Sequence, residues 1–133
     1  STKSHDLKEN PKAAMCFHWK SFNRQIRILG SVTQVDDKQA DRYFESRSYE
    51  SRISAWASDQ SNSMKERSEL LKKIEDFKKK YKNEKKVPRP SYWSGWCLSP
   101  SSIEFWLHKD NRIHERLRYN KTINGWKKEI LYP

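Results

Sequence analysis

The segment Asn111-Arg112-Ile113-His114-Glu115-Arg116-Leu117-Arg118 holds the densest set of chemically capable side chains in the sequence. Read as a strand, it puts alternate side chains on one face. Arg112, His114, Arg116 and Arg118 then line up together, and Ile113 and Leu117 turn toward a core. Positive charges on one face repel each other unless an anion neutralises them, and the planar fork of arginine suits phosphates and carboxylates. Two readings stay open on pattern alone: the solvated outside of a barrel, or a site for a phosphorylated ligand. A second cluster is Tyr43-Phe44-Glu45-Ser46-Arg47. Tyr43 and Arg47 are four apart and share a helix face, and Ser51 follows just past a break at Ser48-Tyr49. Phenol, guanidinium and hydroxyl together would make a donor set of phosphate size. The plainer alternative is that Tyr43 packs and Arg47 pairs with Glu45 or Glu50. Gln60-Ser61 reads as a helix end and turn, and Ile103-Glu104-Phe105-Trp106 as a core strand packed through Trp106.

Other chemistries find no support. His5, His18, His108 and His114 lack a shared metal-ligand spacing, so no metal site is expected. Three glycines are too few for a phosphate-cradling loop, and there is no nucleophile elbow. Cys16 and Cys97 make no disulfide framework, and reduced thiols in an intracellular protein are the expectation. No apolar run is long enough for a membrane span or a signal-peptide core. The net charge of +11 calls for an anionic partner: nucleic acid, membrane or phosphorylated metabolite. Much of the excess, however, lies between Lys65 and Lys86, interleaved with Glu66, Glu69, Glu75, Asp76 and Glu84. Mixed charge at helical spacing marks a solvated helix face rather than a nucleic-acid surface.

These groups must be positioned by a small chain of 133 residues, read as a single domain over residues 1–133. Hydrophobic residues make up only 34%, but six tryptophans, six tyrosines and five phenylalanines compensate. Each ring can bury about 150–250 Å², so the expected core is aromatic and completed by a second subunit. Residues 13–19 and 24–35 read as strands, with Ile26, Ile28 and Val32 pointing one way and Gly30 at a bend or bulge. Asp36-Asp37 caps a helix over 38–47, followed by helices over 50–60 and 63–83. Val87-Pro88-Arg89-Pro90 is an extended linker. Strands follow over 92–98, 103–108, 113–120 and 126–131, joined by turns at 109–111 and 122–125. The pattern is α+β, with helices inserted into a sheet or barrel. Ser1 to Pro11, without an initiating methionine, reads as if cut from the middle of something longer.

Taken in order, these motifs have a family likeness. They are Asn10-Pro11, Phe17-x-Trp19, Arg24-Gln25-Ile26-Arg27, Tyr43-Phe44-x-Ser46-Arg47, Ala55-Trp56-Ala57-Ser58-x-Gln60-Ser61, Val87-Pro88-Arg89-Pro90-x-x-Trp93, Ile103-Glu104-Phe105-Trp106, Arg112-Ile113-His114-x-Arg116 and Leu131-Tyr132-Pro133. The series resembles the pyridoxine/pyridoxamine 5′-phosphate oxidase family over essentially the whole chain. The resemblance implies the C-terminal portion of an FMN-binding split β-barrel that works as a cytoplasmic homodimer, with FMN at the subunit interface. It implies oxidation of pyridoxine or pyridoxamine 5′-phosphate to pyridoxal 5′-phosphate, with oxygen as the electron acceptor. By resemblance, Lys3, Gln25, Gln60, Ser61, Trp106 and Arg116 hold FMN. Tyr43, Arg47 and Ser51 hold the substrate phosphate, and Arg112 and His114 contact the B6 ring as the catalytic pair. Thr2, Ser48, Arg52, Ser54, Ser94 and Cys97 depart from the family pattern. The family's preceding Arg-x-Val-Leu-Leu-Lys-type strand does not occur in these residues. No membrane or nucleic-acid partner is implied. The competing readings are a non-catalytic remnant of the family, which would purify colourless, and a basic nucleic-acid-binding module, whose binding would weaken steeply with salt.

Overall fold

A computed structural model describes residues 1–82 and 87–133. The elements in chain order are helix α1 (Thr2–Glu9), strand β1 (Lys12–Trp19), strand β2 (Arg24–Gln34), helices α2 (Asp37–Glu45), α3 (Tyr49–Ala57) and α4 (Arg67–Lys80), and strands β3 (Trp96–Leu107), β4 (Glu115–Thr122) and β5 (Gly125–Leu131). Short 3₁₀ turns at Lys20–Phe22 and Asp110–Arg112 link strands. The expected α+β order is present, with α1 as an addition. Two compact units make up the chain: residues 1–3 with 34–96, and residues 4–33 with 97–133.

The helical unit has an aromatic core. Phe44, Ile53 and Val87 are buried, with Tyr49, Trp56, Ile74, Phe77, Tyr81 and Trp93 packed against them. Asp36 caps α2 by accepting from the Gln39 N–H at 2.7 Å, as its position before the helix predicts. Ser48 caps α3 in the same way, accepting from the Ser51 N–H. α2 ends at Glu45, two residues before the predicted boundary, and α3 ends at Ala57 because Ser58 is extended. α4 begins at Arg67, so Met64 lies outside it and half exposed, while Asn83 falls outside the described residues. The segment from Val87 is more than a linker, since Val87 and Pro90 are buried. The Trp56 indole donates to the Pro88 carbonyl at 2.8 Å. Arg89 donates to Asp41 at 2.5 Å, to Asp37 at 2.7 Å and to the Trp93 carbonyl at 2.6 Å, clamping this segment to α2.

The other unit is a five-stranded sheet in the order β1-β2-β3-β4-β5. The β1/β2, β3/β4 and β4/β5 pairs are antiparallel. In β2, Ile26, Ile28 and Val32 are less exposed than Arg27 and Leu29, as alternation predicts, but Gln25 on the opposite face is half-buried as well. Toward β1 Gly30 sits at no bulge, because the β1/β2 register runs unbroken from Lys12↔Ser31 to Trp19↔Arg24. Its role is close approach: a Cβ there would lie 2.1 Å from the Ser99 carbonyl oxygen. The strands predicted at 92–98 and 103–108 are one strand, β3, which runs through Pro100. β4 starts at Glu115 rather than Ile113.

Candidate functional site

That later start of β4 corrects the period-two reading of Arg112 to Arg118. Asn111 and Arg112 both have left-handed backbone, at φ 56° and 61°. Arg112 therefore belongs to a tight turn, and Ile113 is 68% exposed instead of packed in a core. Only Arg116 and Arg118 share a strand face in β4. Arg118 is occupied by Glu129 of β5, donating through Nη2 at 2.9 Å. The signal for the turn was Asp110-Asn111, since asparagine tolerates the left-handed region better than most residues.

Within the sheet unit an open cavity of about 890 Å³ gathers Gln25, Trp106, His114 and Arg116. Arg112 is not among its lining residues. Rings and aliphatic side chains from Trp19, Phe105 and Ile26 form its walls, and Arg24 and Lys128 add charge. Trp106 stands opposite Arg116 across the β3/β4 ladder. The His114 ring lies 4.7 Å from Trp106 and 5.1 Å from His108, centroid to centroid. Its Nδ1 accepts from the Lys109 N–H at 3.3 Å, so the neutral ring carries its proton on Nε2. Arg116 donates to Glu104 through Nε at 2.9 Å and to the Tyr132 carbonyl through Nη1 at 3.0 Å. The Glu104 hydrogen bond is the main reason its guanidinium is held above its ordinary, already high pKa.

The helical unit gathers a second set. Arg47 lies past the end of α2, so it and Tyr43 do not meet on one helix face as spacing suggested. Trp93 brings them together. The Tyr43 ring stacks on Trp93 at 5.9 Å, and the Arg47 guanidinium lies 5.3 Å from the centre of the same ring. Trp93 also meets Phe44 edge-on at 5.1 Å. Ser51, in the first turn of α3, receives a hydrogen bond on Oγ from Ser48. Among the described residues, Arg47 Nη1 is buried without a hydrogen-bond partner, as is Arg52 Nε. Arg47 pairs with neither Glu45 nor Glu50, contrary to the plainer alternative. Gln60 and Ser61 occupy an exposed turn after α3, with Ser61 at φ 72°, and Lys3 sits in the first turn of α1. Trp93 and Glu104 were part of recognised motifs but drew no role from sequence, because neither spacing nor charge reveals which side chain a neighbour holds. Among the described residues no group of His, Cys, Asp and Glu could hold a metal ion, and no helix is long and apolar enough to cross a membrane.

Comparisons with known proteins agree on one kinship. Residues 1–81 match the family model described as pyridoxamine 5′-phosphate oxidase, and residues 93–133 match that of the pyridoxine 5′-phosphate oxidase C-terminal dimerisation region. The pyridoxine/pyridoxamine 5′-phosphate oxidase of Pelagibacter ubique is 59% identical over 134 residues, covering 100% of this chain and 64% of that protein. The enzyme of the same name from Sphingopyxis alaskensis is 46% identical, over 100% and 61% of the two chains. This chain thus spans less than two thirds of those relatives' length. Among solved structures, PhzG from Burkholderia lata, in complex with tetrahydrophenazine-1-carboxylic acid, superposes with a TM-score of 0.91 at 29% identity, over 100% of this chain and 64% of that one. A pyridoxamine 5′-phosphate oxidase-related, FMN-binding protein from Nostoc punctiforme shares the fold at a TM-score of 0.74 and 17% identity, over 100% and 69%. The fold is accordingly the α+β split β-barrel with inserted helices.

Proposed function

Because this chain belongs to the pyridoxamine 5′-phosphate oxidase family, we propose that the protein carrying it oxidises pyridoxine or pyridoxamine 5′-phosphate to pyridoxal 5′-phosphate, with FMN as cofactor and oxygen as electron acceptor. Arg47 is the observation that carries this reading. A guanidinium N–H buried without a partner is costly and marks a place where an acceptor belongs. With the Tyr43 phenol on the same indole and the Ser51 hydroxyl on the next helix, the acceptor is the substrate phosphate.

The cavity in the sheet unit fits FMN by its donor set. Apolar walls suit a flat ring system, while Gln25, Arg24 and Arg116 offer hydrogen bonds to its edge and charge to its phosphate. Trp106 packs against it, and Lys3, Gln60 and Ser61 are proposed as cofactor-holding residues from the family likeness alone. Bound FMN supplies the two-electron acceptor; the chain supplies binding and orientation. Arg112 is the residue proposed to hold the B6 ring. Its left-handed backbone, following a left-handed Asn111, costs about 1–2 kcal/mol per residue. Strain of this kind is kept where it aims a side chain. His114, with Nδ1 occupied by the Lys109 amide, presents Nε2–H as a hydrogen-bond donor to the substrate. Holding the substrate still against the cofactor, rather than acid–base strength, then gives most of the rate.

The test is direct. The purified protein, supplied with FMN and pyridoxamine 5′-phosphate in air, should form pyridoxal 5′-phosphate and peroxide in equal amounts. A protein that takes up FMN yet forms neither product is a binding remnant, and one that stays colourless overturns the cofactor assignment as well.

A further inference from the structure

Glu104 is the buried charged side chain among the described residues, 9% exposed, in the middle of β3. A carboxylate removed from water is costly unless it is paired, and an apolar residue of similar size is commonly as stable or more so in such a place. Its retention calls for a reason other than stability. The β3/β4 register sets Glu104 directly opposite Arg118, but Arg118 is engaged by Glu129 on its other side. Glu104 instead reaches one step along the ladder to Arg116, the partner of Trp106, and accepts its Nε–H at 2.9 Å. The Tyr132 carbonyl takes an N–H from Nη1 at 3.0 Å. The guanidinium is planar and rigid, with five N–H donors, so two anchors at different nitrogens fix its plane. Arg116 lines the cavity and Glu104 does not.

We infer that Glu104 is a positioning residue: with the Tyr132 carbonyl it locks the Arg116 guanidinium so that the donors left over meet FMN. The inference rests on the proposed role of Arg116 in holding that cofactor. Glu104 also offsets the charge of Arg116, so this contact contributes directed hydrogen bonds more than net attraction. Positioning and charge therefore make opposite demands. If the carboxylate only opposed an anionic ligand, removing it would tighten binding; if it holds the arginine, removing it loosens binding.

The experiment titrates FMN against the protein freed of flavin, following the quenching of flavin fluorescence, for the wild type and for Glu104→Gln, Glu104→Leu, Arg116→Ala and the Arg116→Ala/Glu104→Leu double variant. Glu104→Leu should weaken FMN binding about tenfold, the loss expected when a charged hydrogen-bonding group is no longer held. Glu104→Gln, which keeps an acceptor for Nε–H, should retain most of the affinity. In the Arg116→Ala background Glu104→Leu should have no further effect, because Glu104 acts through Arg116. Additive losses in the double variant, or a Glu104→Leu protein that binds FMN as tightly as or more tightly than wild type, overturn the inference. If Glu104→Leu does not fold, the same cycle is run with Glu104→Ala. A wild type that binds no FMN, or an Arg116→Ala protein that binds it normally, removes the site assignment beneath it and is told apart by those two arms alone.

Discussion

Arg47 lies two residues beyond the end of α2, and its guanidinium rests on the Trp93 indole rather than on a carboxylate. Arg47→Ala should therefore weaken pyridoxine 5′-phosphate by roughly tenfold or more while leaving FMN affinity nearly unchanged, since a hydrogen bond to a charged group contributes about 1.5–3 kcal/mol. Equal losses for the two ligands, measured by titrating each, would assign the set to the wrong anion. Ile113 and Arg112 form a contrasting pair. With Ile113 exposed, Ile113→Ala should change stability by no more than about 0.5 kcal/mol, whereas Arg112→Ala should leave the protein yellow and slow its turnover. A melting curve and a turnover assay on both variants decide this; a large loss of stability at Ile113 would restore the uninterrupted strand. The residue types here were legible in the sequence, and their facing was not. Alternation of apolar and basic residues describes a strand only while the backbone stays extended, and the left-handed pair at Asn111 and Arg112 ends that condition. In the same way Tyr43 and Arg47 were rightly grouped but for the wrong cause, since an indole from a distant segment unites them.

At the scale of elements, Asp36 announced the start of α2, because a cap is a local interaction that sequence displays, whereas Ser48, read only as a break, proves to cap α3. The close approach of two strands is not displayed in the same way. Gly30 is the clearest case: what looked like a bend is the point where β2 and β3 come too close for a side chain. Gly30→Ala should cost about 1–3 kcal/mol through overpacking, read as a lowered unfolding midpoint, and a neutral outcome would mean that the two strands part readily. The β4/β5 hairpin makes a pH-dependent prediction. Glu129 is held below its ordinary value of 4.5, first by its hydrogen bond from Arg118 and then by that from Lys127. The folded carboxyl gives up its proton more readily than the unfolded one. Its contribution is thus complete above 4.5 and fades as pH falls through the lower folded value. Glu129→Gln should reduce the melting temperature at neutral pH, and the gap from wild type should close on acidification. A gap independent of pH would show that charge plays no part in the pairing.

For the molecule as a whole, the distribution of burial is uneven. Phe44, Ile53, Ala57, Val87 and Pro90 are buried in the helical unit, while in the sheet unit Val32 and Glu104 are the buried residues among those described. Away from the cavity, the sheet instead exposes Met15, Phe17, Leu29 and Trp126. Apolar side chains in such number on one small unit mark a surface that another chain covers, and residues 93–133 match a family's dimerisation region. Sedimentation at micromolar concentration should give a homodimer; a clean monomer would refute it. The low apolar content and rich aromatic content of the sequence already pointed to a core shared with a second copy. Trp93 and Trp106 add a practical consequence. One indole touches the proposed phosphate donors in the helical unit, and the other lines the cavity of the sheet unit. Each proposed ligand thus has an intrinsic fluorophore beside it, and a pair of variants, one retaining only Trp93 and the other only Trp106, reports the two occupancies separately. Phosphate arriving at Arg47 would alter the light from Trp93, and flavin would drain that from Trp106 by energy transfer, with no label attached.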